Sequence, residues 1–119
     1  MARVRPASPI GAPVTWHYLC HQTEIDENEP REFAVDGRVV ALFFDGQQHY
    51  AIDGMCAHQG GPLALGTRNG LCVTCPWHGW QYDISNGHNL LTGKQMLDCF
   101  PLEIREGQLW VELPESPQT

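Results

Sequence analysis

The chain has 119 residues, 7 Lys and Arg against 14 Asp and Glu, a formal net charge of −7 and a pI near 5.2. That length suits one small domain with a thin core, and the acidity excludes the basic footprint with which nucleic-acid-binding proteins hold phosphates. With 42% hydrophobic and 18% charged residues it is not a disordered chain, and no apolar run reaches membrane-spanning length.

Residues 1–14 carry Arg3 and Arg5, then Pro6, Pro9 and Pro13, with no apolar stretch. They read as a loose tail and not as a secretory signal. Five cysteines, an odd count, argue against a complete disulfide framework. The chain is expected in the reducing cytoplasm. Trp16 to Cys20 is aromatic-rich and strand-like, and the acidic stretch Glu24 to Glu32, broken by Pro30, reads as a solvated turn. Arg31 to Val35, Asp36-Gly37 and Arg38 to Phe44 predict a hairpin. Asp45-Gly46 predicts a second turn of the same chemistry leading into a strand at His49 to Ile52, so the first half is expected to be an antiparallel meander.

From Cys56 to Gly87 the chain is dense in Gly, Cys, His and Trp and poor in hydrophobic periodicity. Such a segment needs something other than its own core to organise it. Leu71 to Thr74 is the clear strand inside it and Gln81 to Ile84 a weaker one. Pro101 to Arg105, a Glu106-Gly107 turn and Leu109 to Leu113 predict a closing hairpin. No stretch shows a helical stripe. The expected fold class is all-β, with the ligand-rich segment inserted between strands of a base sheet.

Two short pairs carry the chemistry: Cys56-Ala57-His58 and Cys75-Pro76-Trp77-His78, separated by the 16 residues Gln59 to Thr74. Gly54, Gly60, Gly61 and Gly79 flank them and let backbone wrap closely around an inorganic core. Two Cys and two His also suit structural zinc. Zinc modules, however, usually pair Cys with Cys and His with His, whereas each loop here supplies one of each. That mixed order lets one iron take both thiolates and another both imidazoles.

Cys-x-His, 16 residues, then Cys-Pro-Trp-His-Gly-Trp-x-Tyr-Asp (Cys75 to Asp83) resembles the signature of the Rieske [2Fe–2S] family. Gly60-Gly61-Pro62-Leu63 with Gly66 resembles that family's first cluster loop. The likeness is strong over roughly residues 50 to 88 and looser along the flanking strands. It implies a Rieske-like antiparallel sandwich base over residues 15–114, with a small cluster-binding part at about 54–88 and tails at 1–14 and 115–119. It implies one [2Fe–2S] cluster, with Cys56 and Cys75 on the inner iron and His58 and His78 on the outer one. Neutral imidazoles leave such a centre less negative than four thiolates would, which raises its potential into a range of about −150 to +300 mV. High-potential members add a disulfide at positions matching Gly61 and Trp77, and a Ser where Trp80 stands. This chain therefore resembles the low-potential branch. Tyr82 falls where the family often directs a hydroxyl at the cluster.

Cys20, Cys72 and Cys99 are expected to be small hydrophobes. His17, Cys20 and His21 have metal-like spacing, but a strand would not face all three one way. His49 and His88 are expected at the surface, Trp80 in packing contacts and Trp77 exposed. No nucleophile–base pair or phosphate-cradling loop is present, and 119 residues leave no room for an oxygenase catalytic domain. Family resemblance thus implies an electron-transfer component and not an enzyme, a ferredoxin taking electrons from an NAD(P)H-dependent flavoprotein reductase. A terminal oxygenase would receive them, both partners docking near His58 and His78, with no nucleic-acid or membrane partner. The alternative is a small cluster-bearing subunit of a larger oxidoreductase, similar to the nitrite reductase small subunit.

Overall fold

The computed structural model describes residues 14–57 and 60–114. Its ten strands are β1 (Val14–His21), β2 (Arg31–Val35), β3 (Arg38–Phe44), β4 (His49–Asp53), β5 (Thr67–Asn69), β6 (Cys72–Thr74), β7 (Gln81–Asp83), β8 (Cys99–Phe100), β9 (Leu102–Arg105) and β10 (Gln108–Pro114). They form three antiparallel sheets, in the orders β1-β10-β9, β2-β3-β4-β8 and β5-β6-β7. The only helical segments described are single 3₁₀ turns at Gln22–Glu24 and Leu63–Leu65. The expected tails fall outside the described residues, apart from Val14, which opens β1.

The central sheet explains the architecture. In β3 the run Val40-Ala41-Leu42-Phe43 is wholly buried, and a strand apolar at every position must be covered on both faces. Val40 and Leu42, joined by Ala51 and Phe100, face Leu19, Cys20, Leu109, Val111 and Leu113 of the outer sheet. Ala41 and Phe43, with Ile52 and Cys99, face the other way, onto Leu63, Ala64, Val73, Tyr82, Ile84 and Leu97. The ligand-rich segment thus borrows one face of the base sheet as its floor. Each large side chain buried there contributes about 1.5–3 kcal/mol.

Turn chemistry sets the register. Asp36 and Gly37 have φ values of 52° and 77°, as do Glu106 and Gly107 at 52° and 80°. Both are two-residue turns whose twist matches the strands they join. The Asp45-Gly46 turn is different. Four residues join Phe44 to His49, and Asp45 Oδ1 closes the loop by accepting from the N–H groups of Gln47 and Gln48 at 2.8 and 2.7 Å. The side chain substitutes for a backbone acceptor, so the same dipeptide makes a longer turn.

The expected meander holds for β2, β3 and β4 but not for β1, which leaves the central sheet and pairs with β10 across the length of the chain. An irregularity between Tyr18 and Cys20 turns both Leu19 and Cys20 inward. The insertion is as expected: β4 and β8 pair directly, and everything between them forms the third sheet and its loops. Within it β5 is a strand that the sequence pattern does not announce.

Candidate metal centre

Two closed loops build the site. In the first, Cys56 N–H donates to the Gly61 carbonyl at 2.8 Å, and Gly60 N–H returns to the Cys56 carbonyl at 2.8 Å. In the second, Cys75 N–H donates to the Trp80 carbonyl at 2.7 Å. Each cysteine sits at the base of its loop, next to the shared core, and the two are only 3% and 2% exposed. The tip of the second loop is turned by consecutive left-handed residues, His78 at φ 68° and Gly79 at 75°. That turn presents Pro76, Trp77, His78 and Gly79 to solvent. His58 lies outside the described residues.

The two thiols lie within hydrogen-bonding reach of one another. The Tyr82 hydroxyl is 3.2 Å from Cys56 Sγ, and Trp77 N–H donates to Cys75 Sγ at 3.4 Å. Burial first, and the neighbouring Cys56 after it, push the Cys75 thiol pKa up, against the lowering pull of Trp77 N–H. Tyr82 is fully buried and its phenol is pushed far up, by burial and then by Cys56. The Ala57 backbone and the Asn89 side chain pull the other way by hydrogen bonding to the oxygen. Two adjacent buried thiolates require compensating positive charge, and the protein brings little: from Gly54 to Gln81 the sole charged side chain is Arg68. Its guanidinium is committed to the Glu27 and Gly70 carbonyls.

Gly61 is where the loops touch. A Cβ there would lie 2.6 Å from Cys75 Sγ and 3.1 Å from Trp77 Cγ, too close for any side chain. Beside the second loop a groove of about 320 Å³ is lined by Gly79, Trp80, Gln81, Asn89, Leu91 and Thr92.

Of the four sequence-predicted ligands, Cys56 and Cys75 are brought together and His78 is placed at an exposed loop tip. Among the described residues no three His, Cys, Asp or Glu side chains converge on one point. None of the five cysteines is joined in a disulfide. Cys99 is a buried thiol pushed up to about 12 by burial and then by Asp98 and Asp83, and Cys20 is also raised, mainly by burial. Cys72 is half-buried, in contrast to its fully buried counterparts. His17 and His21 are engaged locally, with Thr15 at 2.6 Å and Thr23 at 2.9 Å, so no second site forms with Cys20. Trp77 is 49% exposed and Trp80 packs on the core beneath the loops, as expected.

His49 is not the surface residue expected. Its ring stacks on Phe44 with centroids 4.5 Å apart, and its Nε2 is buried with no hydrogen-bond partner among the described residues. His88 is also partly buried, in an isolated pairing with Gln95. Asn89 was missed altogether, although Asn followed by Thr92-Gly93 is turn chemistry that marks a side-chain-capped loop.

Three antiparallel sheets thus carry two cysteine-bearing loops that bring two buried thiols together, the donor set of a sulfur-ligated metal domain. A family model described as Rieske [2Fe-2S] domain matches residues 15–101, and the chain belongs to that family, whose domain carries one such cluster. Among its relatives is methylxanthine N1-demethylase of Pseudomonas putida, 32% identical over 116 residues. That alignment takes in 85% of this chain but only 32% of the demethylase, so the chain spans about a third of that relative. The ferredoxin subunit of 3-phenylpropionate/cinnamic acid dioxygenase from Escherichia coli K12 is 28% identical, over 83% of this chain and 94% of the subunit. In fold the chain resembles the ferredoxin of carbazole 1,9a-dioxygenase from Nocardioides aromaticivorans IC177, with a TM-score of 0.75 and 24% identity over 82% of this chain and 96% of that one.

The residues present fit the cluster. Two buried thiols within reach of one another suit a cationic iron centre, glycine leaves the space between the loops open, and a hydroxyl and a backbone N–H lie within hydrogen-bonding distance of the sulfurs.

Proposed function

We propose that this protein is a one-electron carrier whose [2Fe–2S] cluster is held by Cys56, His58, Cys75 and His78. An NAD(P)H-dependent flavoprotein reductase loads it and a terminal oxygenase receives the electron. The observation that carries this reading is the division of the site. The cysteines are buried at the loop bases, while His78 stands at an exposed tip with Trp77 beside it. The ferredoxin subunit of similar length among the relatives supports the carrier role. Residues 15–114 act as one unit, the cluster-binding part at about 54–88 resting on the base. We place the protein in the cytoplasm, where a donor of the NAD(P)H class is found.

When bound, the cluster supplies a one-electron couple at a potential raised by its two neutral ligands. The protein's own residues do the rest. Cys56 and Cys75 anchor the centre against the core, where Leu63, Val73, Tyr82 and Ile84 exclude water. Tyr82 and Trp77 N–H direct hydrogen bonds at the cysteine sulfurs and so favour the more negative, reduced state. His78, at the exposed loop tip, offers its ring edge to a partner.

The purified protein is expected to contain two iron and two acid-labile sulfide per chain, as the bound cluster requires. Zinc in their place would overturn the assignment. His78→Cys adds a negative ligand and is expected to lower the reduction potential in protein that retains the cluster. An unchanged potential would remove His78 from the ligand set.

A permanent place within a larger oxidoreductase is the second reading, favoured by the identity to a demethylase about three times as long. Size-exclusion chromatography and affinity capture decide between them. A chain recovered only in stoichiometric complex is a subunit, and one recovered alone with its cluster intact is a carrier.

A further inference from the structure

Asn89 is the one buried polar side chain among the described residues apart from Tyr82 and the cysteines, at 4% exposed. A buried amide is costly unless both of its ends find partners. Its Oδ1 accepts from the backbone N–H groups of Leu91 and Thr92 at 2.9 and 3.0 Å. Those two groups can only donate, so they fix which end of the amide is oxygen. They also shape the tight loop that holds Leu91, 93% exposed, beside the groove at Trp80. The NH₂ end is left for something else. An isolated antiparallel pairing places Asn89 opposite Tyr82, secured by Leu90 N–H donating to the Gln81 carbonyl at 3.0 Å.

A tyrosine hydroxyl has one proton and two lone pairs. Around the Tyr82 oxygen stand the Ala57 backbone N–H, the Asn89 side chain and, 3.2 Å away, Cys56 Sγ. N–H donors on the oxygen's acceptor side would leave the proton to the sulfur.

We propose that Asn89 is a positioning residue: its side-chain amide donates to the Tyr82 hydroxyl and thereby commits the hydroxyl proton to Cys56 Sγ. This rests on the reading of Cys56 as a ligand. The same side chain closes the Asn89–Gly93 loop, so the loop at the rim of the groove and the hydrogen bond to the cluster's ligand share one support. A hydrogen bond to a ligand sulfur stabilises the reduced centre, so orienting that bond raises the potential.

The test is a double-mutant cycle on the reduction potential of cluster-loaded protein: wild type, Asn89→Asp, Tyr82→Phe and the double variant. A carboxylate at 89 still accepts from Leu91 and Thr92 but cannot donate, and it offers the Tyr82 proton a rival acceptor. Each single change is expected to lower the potential. The shift caused by Asn89→Asp is expected to be clearly smaller in the Tyr82→Phe background, where the added charge persists but no hydroxyl remains to be redirected. Equal shifts in both backgrounds would reduce Asn89 to a loop cap and overturn the proposal. Asn89→Ala, run through the same cycle with the same criterion, serves if the aspartate variant does not retain its cluster. A Tyr82→Phe protein with full iron content and an unchanged potential would also overturn the proposal, since no bond to the sulfur would then exist to orient, whereas a Cys56→Ala protein that keeps wild-type iron and potential would overturn the ligand reading beneath it, and the two failures are therefore distinguishable.

Discussion

Gly61 controls how closely the two cluster loops approach, because a methyl group there would collide with Cys75 Sγ and the Trp77 ring stem at once. The Cys75 sulfur is not free to retreat. Cys75 is fixed by its N–H to the Trp80 carbonyl and by the core beneath it. Gly61→Ala is therefore expected to cut iron per chain by half or more while the base sheets stay folded. Iron analysis beside far-ultraviolet circular dichroism checks this, and wild-type iron content in the variant would show that the loops can part. At this scale the sequence was most legible where chemistry is local. The two Cys-His pairs stand out by their spacing, and Tyr82 by its place seven residues after Cys75. His49 and Asn89 were illegible for the opposite reason. Whether a polar side chain is buried, and what it meets there, depends on strands and loops distant in sequence.

Strands were read correctly where alternation or a tight turn marks them, as in β10, with Leu109, Val111 and Leu113 inward, and in the Asp36-Gly37 and Glu106-Gly107 hairpins. The pairing of β1 with β10 was not legible, since nothing local in Val14–His21 specifies partners that run from Pro114 back to Gln108 at the far end of the described chain. β5 is illegible because Thr67–Asn69 is only three residues long and shows no alternation that would mark its pairing with β6. There, Gly66 lets the chain pass against the Thr74 carbonyl. The two faces of the central sheet separate two jobs, and a pair of substitutions tests this. Leu109→Ala opens a cavity in the sandwich core and is expected to cost about 2–5 kcal/mol in urea unfolding while leaving the reduction potential unchanged. Leu63→Ala, on the cluster side, is expected to cost a similar amount and also to alter the potential and the rate of iron loss. Equal effects of both on the potential would mean that the central sheet does not insulate one core from the other.

Over the whole molecule, the response to acid links the sheets. His49 lies at the start of β4, stacked on Phe44, with its other contact to the backbone of Gln22, just beyond β1 in the outer sheet. Burial holds its pKa below the ordinary value; the Gln22 backbone and the Asp45 carboxylate pull it upward, but burial prevails. Protonation would place a second N–H at Nε2, which is buried and has no acceptor among the described residues. The sign follows directly. As pH falls through the unfolded value of about 6.5, the unfolded chain takes up a proton that the folded chain resists, so stability declines. The loss continues until the lower folded pKa is passed. The net charge of −7 acts the other way, because self-repulsion eases as the pH approaches 5.2. A decline toward acid therefore cannot come from net charge. The wild-type protein is expected to show a lower urea midpoint at about pH 5.5 than at about pH 7.5. His49→Phe, which keeps the stack on Phe44 and removes the ring nitrogens, is expected to flatten that difference. Both proteins share the same cluster and the same remaining histidines, so the change in slope isolates position 49, and identical slopes would clear His49 of any part in the acid response.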